Sequence, residues 1–232
     1  MKKISKWIIG GIVLSTIFVS ASQGLQYYLK GPKMPINAIL VSGNSKDVNQ
    51  AKEFYKGNTK YTKDYKFKQI VEEKKEVADN GEEITMTNKK ILLTKSTVKE
   101  MIKDQLFRIR NAEDSGIHTE LLTEMPNIDS DKSIILGSDY YKSINKIDVS
   151  GVEIPVEYGC YSWFGYLPQE AERIIVDDKT YKSIEGKEVD MSLIRFKKSN
   201  LDLRNMKDQL KIKNELSDVS DNIDVNYALI KD

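Results

Sequence analysis

The sequence predicts an α+β fold: a mixed or antiparallel sheet built from repeated strand-turn-helix units, with a protruding β-hairpin and one N-terminal transmembrane helix. Three observations predict it. Arg173 to Gly186, RIIVDDKTYKSIEG, places the apolar triplet Ile174-Ile175-Val176 before two Asp residues that can cap a short helix with Tyr181 and Ile184 on one face. The same pattern stands at Ile134 to Ile144, ending in an identical Tyr-Lys-Ser-Ile, and more faintly at Ile91 to Met101. Asn80-Gly81 joins two long runs, and both residues tolerate the positive φ of a tight hairpin turn.

Taken in order, the chain divides into a membrane anchor or signal peptide (1–30), a linker (31–35) and an extracytoplasmic α+β domain (36–232). From Trp7 to Leu29 no residue is charged, and as a helix that run reaches roughly 34 Å, enough to cross a hydrocarbon core. Lys2, Lys3 and Lys6 precede it, which keeps the N-terminus cytoplasmic and the bulk of the chain outside. The competing reading is a secretory signal cut after Ala21, since Val19-Ser20-Ala21 satisfies the small-residue rule. Tyr27-Tyr28, placed as an aromatic belt, favours the uncleaved anchor. No cysteine follows the apolar run, so the pattern for a lipid anchor is absent. Pro32 and Pro35 stiffen the linker.

Ile36 to Val41 reads as a buried strand, followed by a helix capped by Ser45, running through Val48, Ala51 and Tyr55 and stopped at Gly57. Lys66 to Ala78 and Glu83 to Leu93 form the hairpin, its base (Phe67, Ile70, Ile91, Leu93) in the core and its charged arms in solvent. Thr97 with Glu100 makes a capping box, and Val98, Met101, Ile102, Gln105, Leu106 and Ile109 recur at helical spacing. Val152 to Val156 alternates as a strand, as do Val189, Met191 and Leu193. Ser199 with Asp202 opens a helix with Leu203, Met206 and Leu210 on its buried face, and Ile223, Val225, Tyr227 and Leu229 close the chain as a half-buried strand.

Composition excludes several function classes. Four of the 36 basic residues precede Lys33, so acidic residues (35) outnumber basic ones in the remainder, and nucleic-acid binding has no electrostatic support. One Cys (Cys160) and one His (His118) allow neither a disulfide nor a Cys/His metal cluster. The aspartates 129 and 131, and 218, 221 and 224, lack the Gly and terminal Glu of a calcium loop. With no catalytic motif present, the expectation is a protein that is not an enzyme and uses no cofactor or metal. A dyad of Cys160 with His118 is the one nucleophilic arrangement the composition permits.

One segment differs in character. Tyr158 to Pro168 sets Tyr158, Tyr161, Trp163, Phe164 and Tyr166 among glycines, which argues for a loop or bulged strand. Exposed, these five residues are the candidate ligand or partner site; buried, they are ordinary core.

The stretch RIIVDDKTYKSIEGKEVDMSLIRFK resembles the extracellular domain of FtsX-like ABC transporter permeases of the bacitracin-efflux (BceB-like) type. Ile174, Ile175, Val176, Asp178, Tyr181 and Ile184 carry the likeness, with Ser138, Asp139, Tyr140 and Ile144 as its echo. The resemblance implies antimicrobial peptide resistance, ABC transporter subunits as partners, and a peptide or lipid-linked cell-wall precursor as ligand. Such permeases have many membrane helices and this chain has at most one, so a binding or sensor domain is expected rather than a transporter. The alternative is a structural or assembly protein of a cell-surface complex acting through protein-protein contacts.

Overall fold

Four times the chain runs from an apolar strand through a polar residue into a helical turn. Strand β1 (Ala38–Gly43) leads to helix α1 (Ser45–Tyr55), β3 (Glu83–Thr94) to α2 (Lys95–Lys103), and β10 (Glu172–Val176) to α3 (Asp178–Ser183). Strand β6 (Ser133–Leu136) leads to a 3₁₀ turn at Asp139–Ser143. In the three α-helical copies the N-cap side chain accepts a backbone N–H: Asn44 from Asp47 at 2.9 Å, Thr94 from Thr97 at 3.1 Å and Asp177 from Thr180 at 2.8 Å. The first two caps lie one and three residues before the expected Ser45 and Thr97. The computed structural model describes residues 34–77, 83–110, 119–127 and 132–231.

The Asp177 carboxyl is held below the usual carboxylate range by the Thr180 N–H and the Thr180 hydroxyl. A carboxyl lowered in the folded state stabilises above its unfolded pKa, and that contribution fades as pH falls through the lowered value. Asp177→Ala should therefore cost about 1 kcal/mol at neutral pH, and less at strongly acid pH, as read from denaturant midpoints.

The strands assemble into a nine-stranded mixed sheet in the order β12-β1-β11-β2-β3-β10-β6-β8-β7. Here β2 spans Thr59–Val77, β7 Lys146–Val149, β8 Val152–Cys160, β11 Lys187–Phe196 and β12 Asp224–Ala228. A second sheet, β5-β4-β9, is built from Thr119–Leu121, Phe107–Arg110 and Ser162–Phe164. Alternation assigns the large sheet two apolar faces. One carries Leu40, Phe67, Leu93, Ile175 and Met191 beneath α2 and the small sheet. The other carries Ile39, Ile194 and Phe196 beneath α1 and α4 (Met206–Ser217), and Ile70, Leu92, Ile174 and Ile135 beneath α3.

The hairpin is present as β2 against β3, antiparallel from Lys68↔Leu92 to Val77↔Glu83, with Phe67, Ile70, Ile91 and Leu93 buried at its base. Farther out Val71 and Ile84 are exposed. The Asn80-Gly81 turn lies outside the described residues. A tighter hairpin, unmarked in the sequence reading, joins β7 to β8 through Ser150 (φ 52) and Gly151 (φ 78), the two positive φ values of a type I′ turn.

Two elements differ from expectation. The helix expected through Ile109 ends at Lys103, because Gln105 takes φ 60 and closes a Schellman motif. Gln105 N–H donates to Ile102 O and Leu106 N–H to Met101 O, both at 2.9 Å, while Leu106 packs in the same cluster as Met101. The Gln105 side chain clasps the Lys231 backbone at 3.0 and 2.9 Å, which fixes a non-glycine residue in a conformation usually left to Gly. The last helix starts at Met206 behind an Asn205 cap, not at Ser199, and it buries Ile212 and Leu216. Leu203 is buried ahead of it, whereas Met206 and Leu210, expected inside, are exposed.

The expected transmembrane helix falls within residues 1–33, outside the described part. No described helix is long and apolar enough to cross a membrane.

Candidate functional site

Strands β6 and β8 lie parallel, and their register slips between Ile135 and Leu136, where Tyr158 and then Cys160 oppose successive residues. Gly159 is the extra residue of this bulge. A Cβ there would come within 2.9 Å of both Ile134 Cγ2 and Pro126 Cγ, so only glycine fits without a shift. The bulge and the carboxyl end of β8 open a cleft of about 610 Å³ between β4 and the 3₁₀ turn, lined by Arg110, Asp139, Tyr140, Lys142, Tyr158 and Tyr161 among others.

The cleft alternates rings with charges. Arg110 lies 5.8 Å from the Tyr161 ring centroid and Lys142 5.8 Å from that of Tyr158. Tyr158 donates its hydroxyl to Asp139 at 3.1 Å, and Lys142 pairs with Asp139 at 3.1 Å. These bonds lower the Asp139 pKa, with Lys142 the larger cause. Burial, and then the bond to Asp139, raise that of Tyr158. Tyr140, 73% exposed, stands at the rim edge-on to Tyr141. The arrangement offers flat apolar area flanked by cations. It fits a ligand with an acidic group beside an apolar or planar one.

The five residues singled out in the sequence separate here. Tyr158 and Tyr161 line the cleft, and Tyr166 packs away from it with the Arg108 guanidinium 5.8 Å from its ring. Trp163 and Phe164 are each 2% exposed: β9 pairs with β4 in the register Phe107↔Phe164 and Arg108↔Trp163, which sends Phe164 into the cluster between the sheets and Trp163 to the other face of β9, 5.5 Å from the Tyr161 ring. Tyr140, Arg110 and Lys142 were not among the expected contacts. The repeat held a signal for Tyr140, because Tyr141 aligns with Tyr181, and both pack against the same apolar cluster, whereas Tyr140 aligns with polar Thr180.

Cys160 lies in the floor of the cleft, and burial pushes its thiol up to about 11, opposite to the shift that activates a nucleophile. His118 lies outside the described residues. Among the described residues no three His, Cys, Asp or Glu side chains converge as a metal site.

A family model described as an uncharacterised lipoprotein family matches residues 36–227. The crystal structure of a protein from Bacillus anthracis assigned as a lipoprotein shares the fold, with a TM-score of 0.60 at 17% identity over 84% of this chain and 99% of that one. No curated protein matches the sequence. These findings overturn the resemblance to FtsX-like ABC permeases, and with it the expectations of ABC transporter partners and antimicrobial peptide resistance. The matching stretch, Ile174 to Ile184, is a strand, a cap and a short helix, a pattern that any unit of this kind can reproduce.

Proposed function

This chain belongs to an uncharacterised lipoprotein family, and from that premise we propose that its folded domain is a non-catalytic, membrane-attached extracytoplasmic binding domain. In this reading Trp7 to Leu29 is its single-pass anchor, the role a lipidated cysteine would otherwise fill, since the one cysteine of the chain sits in β8. The ligand is a peptide or a lipid-linked precursor bearing an acidic group. The observation that supports this is the cleft itself, where exposed Tyr140 and half-buried Tyr158 and Tyr161 stand beside Arg110 and Lys142.

The test is titration of the detergent-solubilised full chain with undecaprenyl diphosphate and, separately, with a short Asp- and Trp-containing peptide. Saturable binding to one of them is expected, weakened about tenfold by Tyr161→Ala and by Arg110→Gln, the loss of one aromatic or cation–π contact. Both positions are at least partly exposed, so the variants should fold as the parent does. Absence of saturable binding to either probe, or equal binding by both variants, would remove the cleft as the site.

A further inference from the structure

Residue 34, where the described chain begins, is tied to a defined place on the domain. Met34 N–H donates to Asp202 at 3.2 Å, Leu203 N–H to Met34 O at 2.7 Å and Ile36 N–H to Leu201 O at 2.9 Å. The chain therefore enters the domain beside residues 201–203, just before the Asn205 cap of α4. Only residues 30 to 33 separate this point from the uncharged run, a span of at most about 18 Å. With Trp7 to Leu29 as the anchor, α4 is held near the bilayer.

What α4 presents is unusual for a solvated helix. Met206 is 72% and Leu210 47% exposed, one turn apart and roughly 120° round the helix from buried Ile212 and Leu216. Helical spacing sets exposed Lys213 on one side of this pair and exposed Lys207 and Lys211 on the other. The acids of the helix turn aside: Asp208 accepts the Asp202 N–H at 2.8 Å, and Glu215 accepts the Tyr55 hydroxyl at 2.9 Å. An apolar stripe flanked by lysines, with carboxylates withdrawn from it, is the pattern of a helix lying in the headgroup region of an anionic membrane.

We propose that the outer face of α4 is a membrane-contact surface that seats Met206 and Leu210 in an anionic bilayer and orients the domain on it. The proposal rests on the anchor reading given above. It also fixes the direction of the ribbon. Ala38, Arg195 and Tyr61 are level in the sheet near the entry point, and β2 runs away from there. Ile84, opposite Glu76, is fifteen residues further along β2, about 50 Å at the usual strand rise.

The experiment places an environment-sensitive fluorophore on the full chain at Met206→Cys or, as control, at Ile84→Cys, each with Cys160→Ser. The chain is reconstituted in phosphatidylcholine vesicles with and without phosphatidylglycerol. The expected result is a blue shift and protection from iodide at 206 when phosphatidylglycerol is present, abolished by Lys207, Lys211 and Lys213→Glu, with no change at 84. A chain that resists carbonate extraction, yet whose label at 206 is as accessible as that at 84, overturns the surface and leaves the anchor standing. A shift at 206 that ignores lipid charge and grows with the protein-to-lipid ratio assigns the face to a second copy and also overturns the proposal. A chain recovered cut after Ala21 and washed free of membranes overturns the anchor, and the surface with it.

Discussion

Phe164→Ala is expected to lower the free energy of unfolding by about 3–5 kcal/mol, the range for removing a fully buried aromatic side chain. The ring is the junction of the two sheets. It meets Phe107 edge-on at 6.1 Å between centroids and Phe67 at 6.0 Å, one ring from the small sheet and one from the large. It also lies 5.3 Å from the guanidinium of Arg173, which is only 1% exposed. That cation is held by neutral acceptors, Ala171 O at 2.7 Å and Gln169 O and Oε1 at 3.2 and 3.1 Å, and burial lowers its pKa to about 10. Removing the ring leaves a cavity and takes from a buried charge one of its few compensating contacts. The loss should therefore fall at the upper end of the range. Phe164→Leu separates the two effects, because it keeps most of the volume and loses only the ring quadrupole; it should cost about half as much or less. Urea midpoints at unchanged m-value measure both. A midpoint for Phe164→Ala within about 1 kcal/mol of the parent would place the ring outside the core. A loss of ligand binding in Phe164→Ala or Trp163→Ala would report unfolding, so binding has to be tested at Tyr161 and Arg110.

How far the sequence reaches is visible in the same residues. The copies at Ile91, Ile134 and Ile174 were legible because each needs only an apolar triplet and a local turn, and the structure folds all three as a strand entering a helical turn. The burial of Trp163 and Phe164 was not legible, because their partner strand was hidden. Leu106 and Ile109 continue the helical spacing of Val98 and Met101, so Phe107–Arg110 reads as helix, and Ser162–Phe164 is left with nothing to pair against. The break is imposed from a distance, by the grip of Gln105 on Lys231, 126 residues away in sequence. Helix α4 shows a second limit. It carries two apolar pairs spaced four apart, Met206 with Leu210 and Ile212 with Leu216, and period alone cannot say which pair faces the sheet. The cleft was half legible. Its tyrosines 158 and 161 stood out as composition, while Arg110, Lys142 and Tyr140 come from elements that only the tertiary fold brings alongside.

Gly165→Ala should be the most damaging substitution of a single methyl group, costing about 3 kcal/mol or more from left-handed strain and broken buried hydrogen bonds together. Gly165 has φ +83, and a Cβ there would stand 2.6 Å from Asn226 Nδ2 and 2.8 Å from Asn226 Oδ1. Asn226 is buried and fully employed. Its amide donates to Phe164 O at 3.2 Å and Leu167 O at 2.8 Å, and its oxygen accepts the N–H groups of Leu167 at 3.0 Å and Tyr227 at 2.7 Å. This one side chain ties the turn after β9 to the edge strand β12. The methyl group has to push it aside, and each bond lost inside the protein leaves a donor or acceptor without water to replace the partner. Asn226→Ala breaks the same clasp without the strain, so it should cost somewhat less than Gly165→Ala. The double variant should be little worse than Gly165→Ala alone, since both substitutions remove the same interactions. Equilibrium unfolding of the three variants decides the point: fully additive losses would mean that Gly165 is required for its backbone angle alone and that the clasp survives the methyl group.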